Sequence, residues 1–288
     1  MLSKSKVQHS AVARREQMLA VIDERGFARV GELSDTFGVS DVTIRTDLDA
    51  LDAQQAIRRV HGGAVIRQRQ LVQEPSFEQA IEAAAADKQL IGELAASLVR
   101  TGQSVLLDVG STALAVAHAL VARPDLSDVV IITNGLSIAL ALEPAIPRFT
   151  VIVTGGTLRP LQHSLVEPLV SPVLSGLHVD LAFIGCNGVD AEQGVTNVNL
   201  PEAQVKRRML ESAARAVIVA DVSKLGQVHL GTIGDVAEFD ALITGAPTPG
   251  TLAVEGVALS GTEMDDRLAS LGTAGLLLIT DAESAARF

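Results

Sequence analysis

The chain has 288 residues, of which 48% are hydrophobic, and it carries a formal net charge of −11 at pH 7. This length predicts two domains with a sizeable core, while no uninterrupted apolar run reaches the roughly 18 residues of a membrane helix. A single cysteine, Cys186, excludes an internal disulfide framework. Because the first residues also lack the apolar stretch of a secretion signal, we expect a cytoplasmic protein without membrane contact.

Charge is unevenly distributed along the chain. Residues 1–69 contain 11 Lys and Arg against 9 Asp and Glu, a net charge of +2, which leaves −13 for the remainder. Neutralising nucleic-acid phosphates requires positive charge, although an ordinary solvated surface explains so small a surplus at least as well. The acidic remainder would repel DNA and confine any contact to the N-terminal segment.

In chain order, the first residues predict a tail and two helices. We expect residues 1–12 to form a flexible tail, followed by one helix from about Ala13 to Arg25 and a second from Val30 to Phe37. Gly38 then suits a turn, and the Ser40 hydroxyl can cap the N–H groups of a third helix.

The third helix has one face for the core and one for solvent. Ile44, Leu48 and Leu51 recur at i, i+4 and i+7, so they must face a core. At about 100° per residue, the side chains of the first turn then lie on the opposite face or its flanks. These outward residues are Ser40, Asp41, Val42, Thr43, Arg45 and Thr46.

A short basic strand follows this helix. The run IRRVHGG, residues 57–63, predicts a strand with adjacent Arg58 and Arg59, then His61 and a Gly62-Gly63 turn. A helix with a free first turn followed by a basic hairpin is a winged helix-turn-helix, so residues 13–66 are predicted to bind DNA. Residues 67–80 are polar, contain a proline and show weak periodicity, which predicts a linker.

Residues 81–288 predict an α/β domain. Apolar strands of four to six residues alternate with helical segments, which is typical of a parallel sheet with helices on both faces. Ligands bind beyond the carboxyl ends of the strands in such sheets. Small, polar or charged residues stand at five of these ends, in SVLLDVGST, VVIITNG, TVIVTGGTLR, DLAFIGCNGVD and AVIVADVSKLG. Their convergence predicts a binding pocket.

The chemistry of these strand ends indicates an anionic, hydroxylated ligand. Residues 110–112, Gly-Ser-Thr, open a helix whose N–H groups and hydroxyls can hold a phosphate. Lys206 and Lys224 can add positive charge. Asp108, Asn134 and Glu202 can exchange hydrogen bonds with sugar hydroxyls. Each has a structural alternative, such as a helix cap for Ser111 or a solvated surface position for Lys206.

The N-terminal motifs resemble a known family. The run V-S-x-V-T-I-R-x-D-L, followed by R-R-V-H-G-G-A, is similar to the signature of the DeoR family of bacterial transcriptional regulators. The resemblance implies that the helix enters the major groove and the wing lies along the DNA backbone. It assigns DNA contact to Ser40, Thr43, Arg45, Arg58, Arg59, His61, Gly62 and Gly63. Thr46 departs from the family, in which a second basic residue is usual.

The resemblance extends over most of residues 75–245. LDVGST, TNG, TGGTLR, PEAQVKRRM and D-x-SK-x-G resemble the DeoR-type sensor domain, which is similar in fold to ribose-5-phosphate isomerase and usually senses phosphorylated sugars. By motif position, an effector role falls to Asp108, Gly110, Ser111, Thr112, Thr133, Asn134, Gly155, Gly156, Arg159, Glu202, Lys206 and Lys224. Four further residues are assigned to the effector site because they stand at strand ends: Gly135, Gly185, Asn187 and Gly188. Glu167 departs from a usual glycine, and residues 245–272 carry no functional assignment.

Other reactive residues predict no further site. Cys186 has no histidine beside it in sequence, so a pocket wall is favoured over a nucleophile. The six histidines show no spacing suited to a metal. We therefore predict no catalytic residue, metal or cofactor.

Two functional hypotheses follow. The first is a DNA-binding transcriptional repressor of carbohydrate metabolism genes, released from double-stranded operator DNA by a sugar phosphate or related metabolite and active as a homo-oligomer, a dimer or tetramer. The alternative is a sugar-phosphate isomerase-like enzyme with an appended DNA-binding module, in which Glu202, Asp108 and Lys206 act on an enediolate. Aldose–ketose turnover distinguishes the two.

Overall fold

The structure is a computed structural model that describes residues 14–15, 17–19, 21–22, 27–53, 57–60, 63–66, 74–245, 253–254, 257–258 and 261–288. The chain divides into two compact units, Met1–Gln73 and Glu74–Phe288. The predicted tail, residues 1–12, and residues 67–73 of the predicted linker lie outside the described residues. Each unit has its own hydrophobic core.

The first unit combines helices with a three-stranded antiparallel sheet. Residues 14–15, 17–19 and 21–22 are helical. They are followed by β1 (Phe27–Arg29), α1 (Val30–Phe37), α2 (Asp41–Ala53), β2 (Ile57–Val60) and β3 (Gly63–Ile66). Strand β3 lies between β1 and β2 and pairs with both. Helices joined by a tight turn and followed by a β-hairpin confirm the predicted winged helix-turn-helix.

The turn between α1 and α2 follows from one glycine and one apolar stripe. Gly38 adopts a φ of 64°, and its N–H donates to the Ser34 carbonyl at 2.9 Å. Glycine reaches this left-handed conformation without steric cost, so α1 ends there. In α2, Ile44, Leu48 and Leu51 are buried in one cluster with residues of the two preceding helices, as their spacing predicts.

The second unit alternates strands and helices. In chain order its elements are α3 (Phe77–Glu82), α4 (Ala85–Leu98), β4 (Ser104–Leu107), α5 (Ser111–Val121), β5 (Val129–Thr133), α6 (Leu136–Leu142), β6 (Phe149–Val153), β7 (Thr157–Arg159), β8 (Ser164–Val166), α7 (Val170–Leu174), β9 (Leu181–Gly185), β10 (Gly188–Asp190), β11 (Gly194–Asn197), α8 (Leu200–Ser212), β12 (Ala216–Val219), β13 (Gly231–Gly234), β14 (Ala241–Ile243), β15 (Ala253–Val254), β16 (Val257–Ala258), α9 (Gly261–Thr273), β17 (Leu277–Ile279) and α10 (Ala282–Ala285). Short 3₁₀ helices lie at Glu143–Ala145, Pro160–Gln162, Val222–Lys224 and Val236–Glu238.

Seven of these strands form a parallel sheet, in the order β17-β14-β12-β9-β4-β5-β6. Successive side chains of a strand point to opposite faces. In β4, Val105 and Leu107 therefore join a core with α4, α5 and α6, while Leu106 joins a core with α7, α8 and α9 on the other face. Helices on both faces confirm the predicted α/β architecture.

Two antiparallel groups extend from the carboxyl ends of this sheet. β10, β11 and β13 form a three-stranded sheet that follows β9. β7 and β8 form a hairpin that follows β6, and a bridge between Gly135 and Ser164 ties it to the loop after β5. Both groups thus lie beside the strand ends where a ligand was expected.

Part of the predicted linker belongs to the second unit. Residues 74–80 were assigned to the linker, but Phe77 begins α3 and is 4% exposed. The Ser76 hydroxyl accepts the Gln79 N–H at 3.3 Å, and the Gln79 side chain accepts the Ser76 N–H at 3.0 Å. This capping box fixes a helix of only six residues, which is too short to show a clear periodicity.

The C-terminal segment also contributes to the core. In α9, which starts within residues 245–272, Met264 and Leu271 are buried against the sheet. Strand β17 follows and pairs parallel with β14. Among the described helices, none has the length and apolar character needed to cross a membrane.

Candidate functional sites

The first turn of α2 forms an exposed polar surface. Ser40, Asp41, Val42, Arg45 and Thr46 are exposed, and Thr43 is half-buried. The Ser40 hydroxyl lies 3.0 Å from the Thr43 hydroxyl and accepts the Thr43 N–H at 3.3 Å, so it caps the helix. Val42, 71% exposed, adds methyl groups to this surface, and Arg45 adds a positive charge. Such a mixture suits base edges and phosphates in a major groove.

A buried carboxylate holds α2 in place. Asp47 is 2% exposed and accepts hydrogen bonds from Arg14 at 2.7 Å and Arg15 at 2.9 Å. Burial alone would raise the pKa of Asp47, but the two guanidinium groups outweigh it and hold that pKa below its ordinary value. Sequence analysis missed this ion pair network, because the two arginines and the aspartate lie on different helices.

The wing carries its arginines on β2. Arg58 and Arg59 pair through their backbones with β3, to which Gly63 belongs. The Arg59 guanidinium forms a hydrogen-bonded ion pair with Asp49 of α2. The side chain of Arg58, together with His61 and Gly62, lies outside the described part of the chain. Arg59 therefore has an acidic partner within the first unit.

The second unit contains a polar cavity of about 150 Å³ at the carboxyl ends of its central strands. Eight of the sixteen predicted effector residues line it: Gly110, Ser111, Thr112, Gly185, Asn187, Glu202, Lys206 and Lys224. The loops after β4, β9 and β12 supply most of them, and α8 supplies Glu202 and Lys206. These strands are adjacent in the sheet, so the predicted convergence holds for them.

A buried ion pair fixes the base of this cavity. Lys206 and Asp108 are 3% and 0% exposed, and the ammonium donates to Oδ2 of the carboxylate. The Gly185 N–H donates to the same oxygen at 2.9 Å. Burial opposes charge on Lys206, but the Asp108 and Glu202 carboxylates outweigh it and raise the pKa of Lys206. The ammonium is therefore protonated at neutral pH.

A second network joins α8 to the start of the unit. Glu202 Oε1 accepts hydrogen bonds from Arg159 at 2.8 Å and from the Ser164 hydroxyl at 2.6 Å. The same Arg159 guanidinium forms an ion pair with Glu74, the first residue of the unit. Burial raises the pKa of Glu74, Arg159 acts against this, and the Glu202 charge adds to the rise. Arg159 itself lies behind the cavity wall that the two glutamates form.

Helix α5 begins at the cavity. Gly110, with a φ of 100°, precedes its first turn, and open space surrounds the position of a side chain there. The backbone N–H groups at the start of this 11-residue helix can bind an anion. Lys224 reaches the cavity from the 3₁₀ helix Val222–Lys224, which Asp221 caps by accepting the Ser223 N–H at 3.0 Å.

The remaining predicted effector residues do not line the cavity, and they have packing or hydrogen-bonding roles. The Asn134 side chain donates to the Leu165 carbonyl at 3.0 Å, and Thr133 accepts the Gly135 N–H at 3.0 Å. Neither Gly156 nor Gly188 leaves room for a side chain, since a Cβ would lie 2.3 Å and 2.2 Å from a carbonyl oxygen. Gly155 has a φ of 76° and turns the chain after β6.

Asp221 and Ser223, at the predicted strand end AVIVADVSKLG, also line the cavity, whereas sequence analysis missed Glu74, Pro75, Lys88, Gln162 and Asn197. Lys88 of α4 donates to the Ala80 carbonyl at 2.6 Å, and Gln162 donates to the Pro75 carbonyl at 2.7 Å. These contacts hold residues 74–83 against the cavity. Cys186 also lines the cavity, and burial raises the pKa of its thiol to about 12.

A larger groove, of about 580 Å³, lies between α4 and α5. Its walls are mostly aliphatic, with Leu114, Ala115 and Ala119 of α5 and Ile81 of α3 among them. Among its described lining residues, Ser111 alone follows the carboxyl end of a strand. We therefore place the ligand site at the smaller cavity, where charged groups converge.

An exposed helix followed by a basic wing, joined to an α/β unit with a polar cavity, defines a DNA-binding regulator with a sensor. Comparison with known families agrees. Residues 14–70 match the DeoR-like helix-turn-helix domain, and residues 83–246 match the DeoR C terminal sensor domain. The chain belongs to the DeoR family of transcriptional regulators.

Relatives match over most of the chain. A protein of Escherichia coli O157:H7 assigned as an aga operon transcriptional repressor is 34% identical over 87% of this chain and 92% of its own. The glycerol-3-phosphate regulon repressor of Escherichia coli K12 is 29% identical over 82% of this chain and 91% of its own. Among solved structures, ribose 5-phosphate isomerase A of Methanocaldococcus jannaschii is 20% identical over 48% of this chain and 52% of its own, with a TM-score of 0.34.

Proposed function

We propose that the chain is a repressor of carbohydrate metabolism genes and that a phosphorylated sugar or related metabolite binds its second unit and weakens operator binding. The observation that carries this proposal is the cavity itself, where Lys206, Lys224 and the start of α5 converge with Glu202. Relatives named as repressors of an aga operon and of a glycerol-3-phosphate regulon support a phosphorylated carbohydrate as the class of effector.

Different residues of the cavity bind different parts of the ligand. The phosphate lies at the start of α5, where Ser111 and Thr112 add hydroxyl donors and Lys224 adds charge. The sugar hydroxyls lie toward Lys206 and Glu202, which can exchange hydrogen bonds with them. In this arrangement Asp108 contacts no ligand and instead holds the Lys206 ammonium in place.

Glu74 couples the cavity to the DNA-binding unit. A cavity of about 150 Å³ is small beside the roughly 300–1,000 Å³ typical of ligand pockets. Displacing Glu74 and Pro75 from the wall would enlarge it. Because the pKa of Glu74 is raised, its ionised form is less stable here than in water, so a ligand that fills the cavity can displace it from the wall. Release of Glu74 frees the residue that leads back to the first unit.

Repression requires more than one copy of the first unit. Operators of helix-turn-helix proteins have two half-sites about one helical turn apart, so the repressor acts as a homo-oligomer, a dimer or tetramer, in the cytoplasm. Effector binding shifts the population toward an arrangement that no longer matches the half-site spacing. The DNA contacts are made by Ser40, Asp41, Val42, Thr43, Arg45, Thr46, Arg58, Arg59, His61, Gly62 and Gly63.

The cavity binds its ligand without converting it. Hydrogen bonds from Arg159 and Ser164 to Oε1 hold the Glu202 carboxylate in a fixed position, which suits binding of a hydroxyl. The relatives are transcriptional regulators, which supports sensing over isomerisation. Steady aldose–ketose turnover that the substitution Glu202→Gln abolishes would contradict this part of the proposal.

A thermal-shift screen against sugar phosphates and their unphosphorylated parents tests the cavity. A ligand at about 100 times its Kd should stabilise the native state by roughly 2.7 kcal/mol. Lys224→Gln should weaken binding of the active phosphate about tenfold, or ~1.4 kcal/mol, without changing binding of its parent. Arg208→Gln removes a similar charge from the exposed side of α8 and should change neither. Equal losses in both variants would contradict the phosphate site.

A further inference from the structure

An apolar surface is uncovered at one edge of the parallel sheet. Strand β6 ends the strand order, and no described strand pairs with its outer side. Ile152 and Val153 are each 41% exposed, and Leu158, Leu161 and Leu169 are 49%, 40% and 57% exposed. We refer to these five side chains as the β6 patch. Exposed apolar side chains on an edge strand and in the segment that follows it favour an interaction surface at this edge.

The patch continues a face of the buried core. Ile152 lies beside Ile132 in the parallel pairing of β6 with β5, and residues in register on neighbouring strands point to the same face. Ile132 is 2% exposed and belongs to the core under α7 and α8. A Cβ added to Gly155 would lie 3.8 Å from Leu169, so the loop after β6 contacts the far side of the patch. At Ile152 this core face reaches the sheet edge, where the described residues leave it partly exposed.

The edge also lacks the features that prevent strand pairing. Natural sheets protect their edges with charged residues, proline, bulges or very short strands. Strand β6 has the sequence FTVIV, which contains neither charge nor proline, and its pairing with β5 is regular along all five residues. Its outer backbone groups are therefore suited to pairing with a further strand.

The local charge favours a second copy of the chain as the partner. The chain carries a net charge of −11, yet no Asp or Glu lies between Glu143 and Glu167. Within that range Arg148 donates to backbone carbonyls, and Arg159 is paired with two glutamates. Two copies that approach each other here avoid the acid–acid repulsion expected over much of the second unit.

We propose that the β6 patch is the surface through which two copies of this chain associate. Strand β6 pairs antiparallel with its counterpart about a two-fold axis, which joins the two sheets and covers both patches. Such an isologous contact is self-complementary, since the same residues are used on both sides. This inference rests on the proposed homo-oligomer, and its two-fold axis matches that of a palindromic operator.

The test compares the molar mass of the full chain with that of two variants by sedimentation equilibrium. Ile152→Glu and Leu158→Glu place like charges across the two-fold axis at exposed positions. Each should halve the oligomer mass, from a dimer to the 30.1 kDa chain or from a tetramer to a dimer. Leu230→Glu, at a 70% exposed leucine outside the patch, is the matched control and should leave the mass unchanged.

Circular dichroism on the same samples shows whether each variant folds. Operator binding shows whether the repressor function survives if the interface is wrong. A wild-type chain that sediments as a monomer overturns both the interface and the proposed oligomer. A wild-type oligomer whose mass is unchanged in two folded variants overturns the interface alone, and retained operator binding then leaves the repressor function standing. If Ile152→Glu does not fold, Leu158→Glu, on the exposed hairpin β7–β8, decides between these outcomes.

Discussion

A single buried carboxylate, Asp47, positions the helix that reads DNA. Asp47→Asn should destabilise the first unit at neutral pH by about 1–3 kcal/mol, because charge-assisted hydrogen bonds from Arg14 and Arg15 are lost. Hydrogen exchange of α2 amides should then be roughly 5- to 150-fold faster than in the wild type. Unchanged protection of α2 would contradict this role.

The pH dependence of this effect follows from the lowered pKa of Asp47. A carboxyl whose folded pKa is depressed stabilises the protein above its unfolded pKa, about 3.9 for Asp, and this stabilisation disappears as the pH falls through the folded value. The difference in opening free energy between wild type and Asp47→Asn should therefore shrink below about pH 4. A difference that stays constant with pH would indicate a purely structural effect of the substitution.

At the residue scale, half of the sixteen predicted effector residues line the cavity. Gly185 meets Asp108 because the carboxyl ends of parallel strands lie at one edge of a sheet, and helix α8 brings Lys206 to the same carboxylate. Glu74 could not be found in this way, since it precedes the first strand and meets Arg159 across 85 residues of chain. Thr133 and Gly156 also follow or end a strand, as the lining residues do, but they support the backbone and do not line the cavity. The sequence alone does not distinguish a ligand-binding residue from a structural one at such a position.

At the element scale, the ion pair between the wing and α2 predicts an effect of Asp49 on operator binding. Asp49→Asn should strengthen operator binding, because Arg59 then lacks its intramolecular partner and a negative charge leaves the DNA-facing unit. If Arg59 gains a phosphate contact, the slope of log Kd against log salt should rise by about 0.9. Fluorescence anisotropy with labelled operator at several salt concentrations measures both.

The control for this prediction is Asp128→Asn, which makes the same charge change at an exposed position of the second unit. It should leave operator affinity and salt slope near those of the wild type. Equal gains in the two variants would show that net charge, and not the release of Arg59, causes the effect.

Close packing of α4 on α5 predicts a second element-scale effect. A Cβ at Gly92 would lie 2.6 Å from the Ala115 carbonyl oxygen, so Gly92→Ala should cost about 1–3 kcal/mol by overpacking. The melting temperature of the second unit should fall by roughly 2–4 °C per kcal/mol. Gly272→Ala in α9, whose Cβ has only an ordinary contact at 3.8 Å, should lower it little or raise it. Equal melting temperatures in the two variants would contradict the packing argument.

Elements with a strong local signal were predicted almost to the residue. Helix α1 spans Val30–Phe37 as expected, because a glycine fixes its end and an apolar stripe fixes its face. Helix α3 was missed since six residues carry too little periodicity, and Gly92 gave no sign of its role because close helix packing depends on a partner distant in sequence.

At the scale of the whole molecule, Glu74 is the proposed link between the two units. Glu74→Gln keeps the size of the side chain but removes the charge that pairs with Arg159. It should strengthen effector binding, because the ligand no longer competes with a carboxylate, and weaken operator binding without effector. Isothermal titration and operator anisotropy measure the two changes. Glu78→Gln, at an exposed side chain of α3, is the control, and a matching response there would contradict the role of Glu74.

The most direct test of the account is the operator Kd measured with and without a sugar phosphate that stabilises the protein. We predict at least about a tenfold weakening, a coupling of ~1.4 kcal/mol, with the unphosphorylated parent sugar inactive. By linkage, operator DNA should weaken effector binding by the same factor. An operator Kd that the bound sugar phosphate leaves unchanged would contradict the claim that the second unit senses this ligand to control DNA binding.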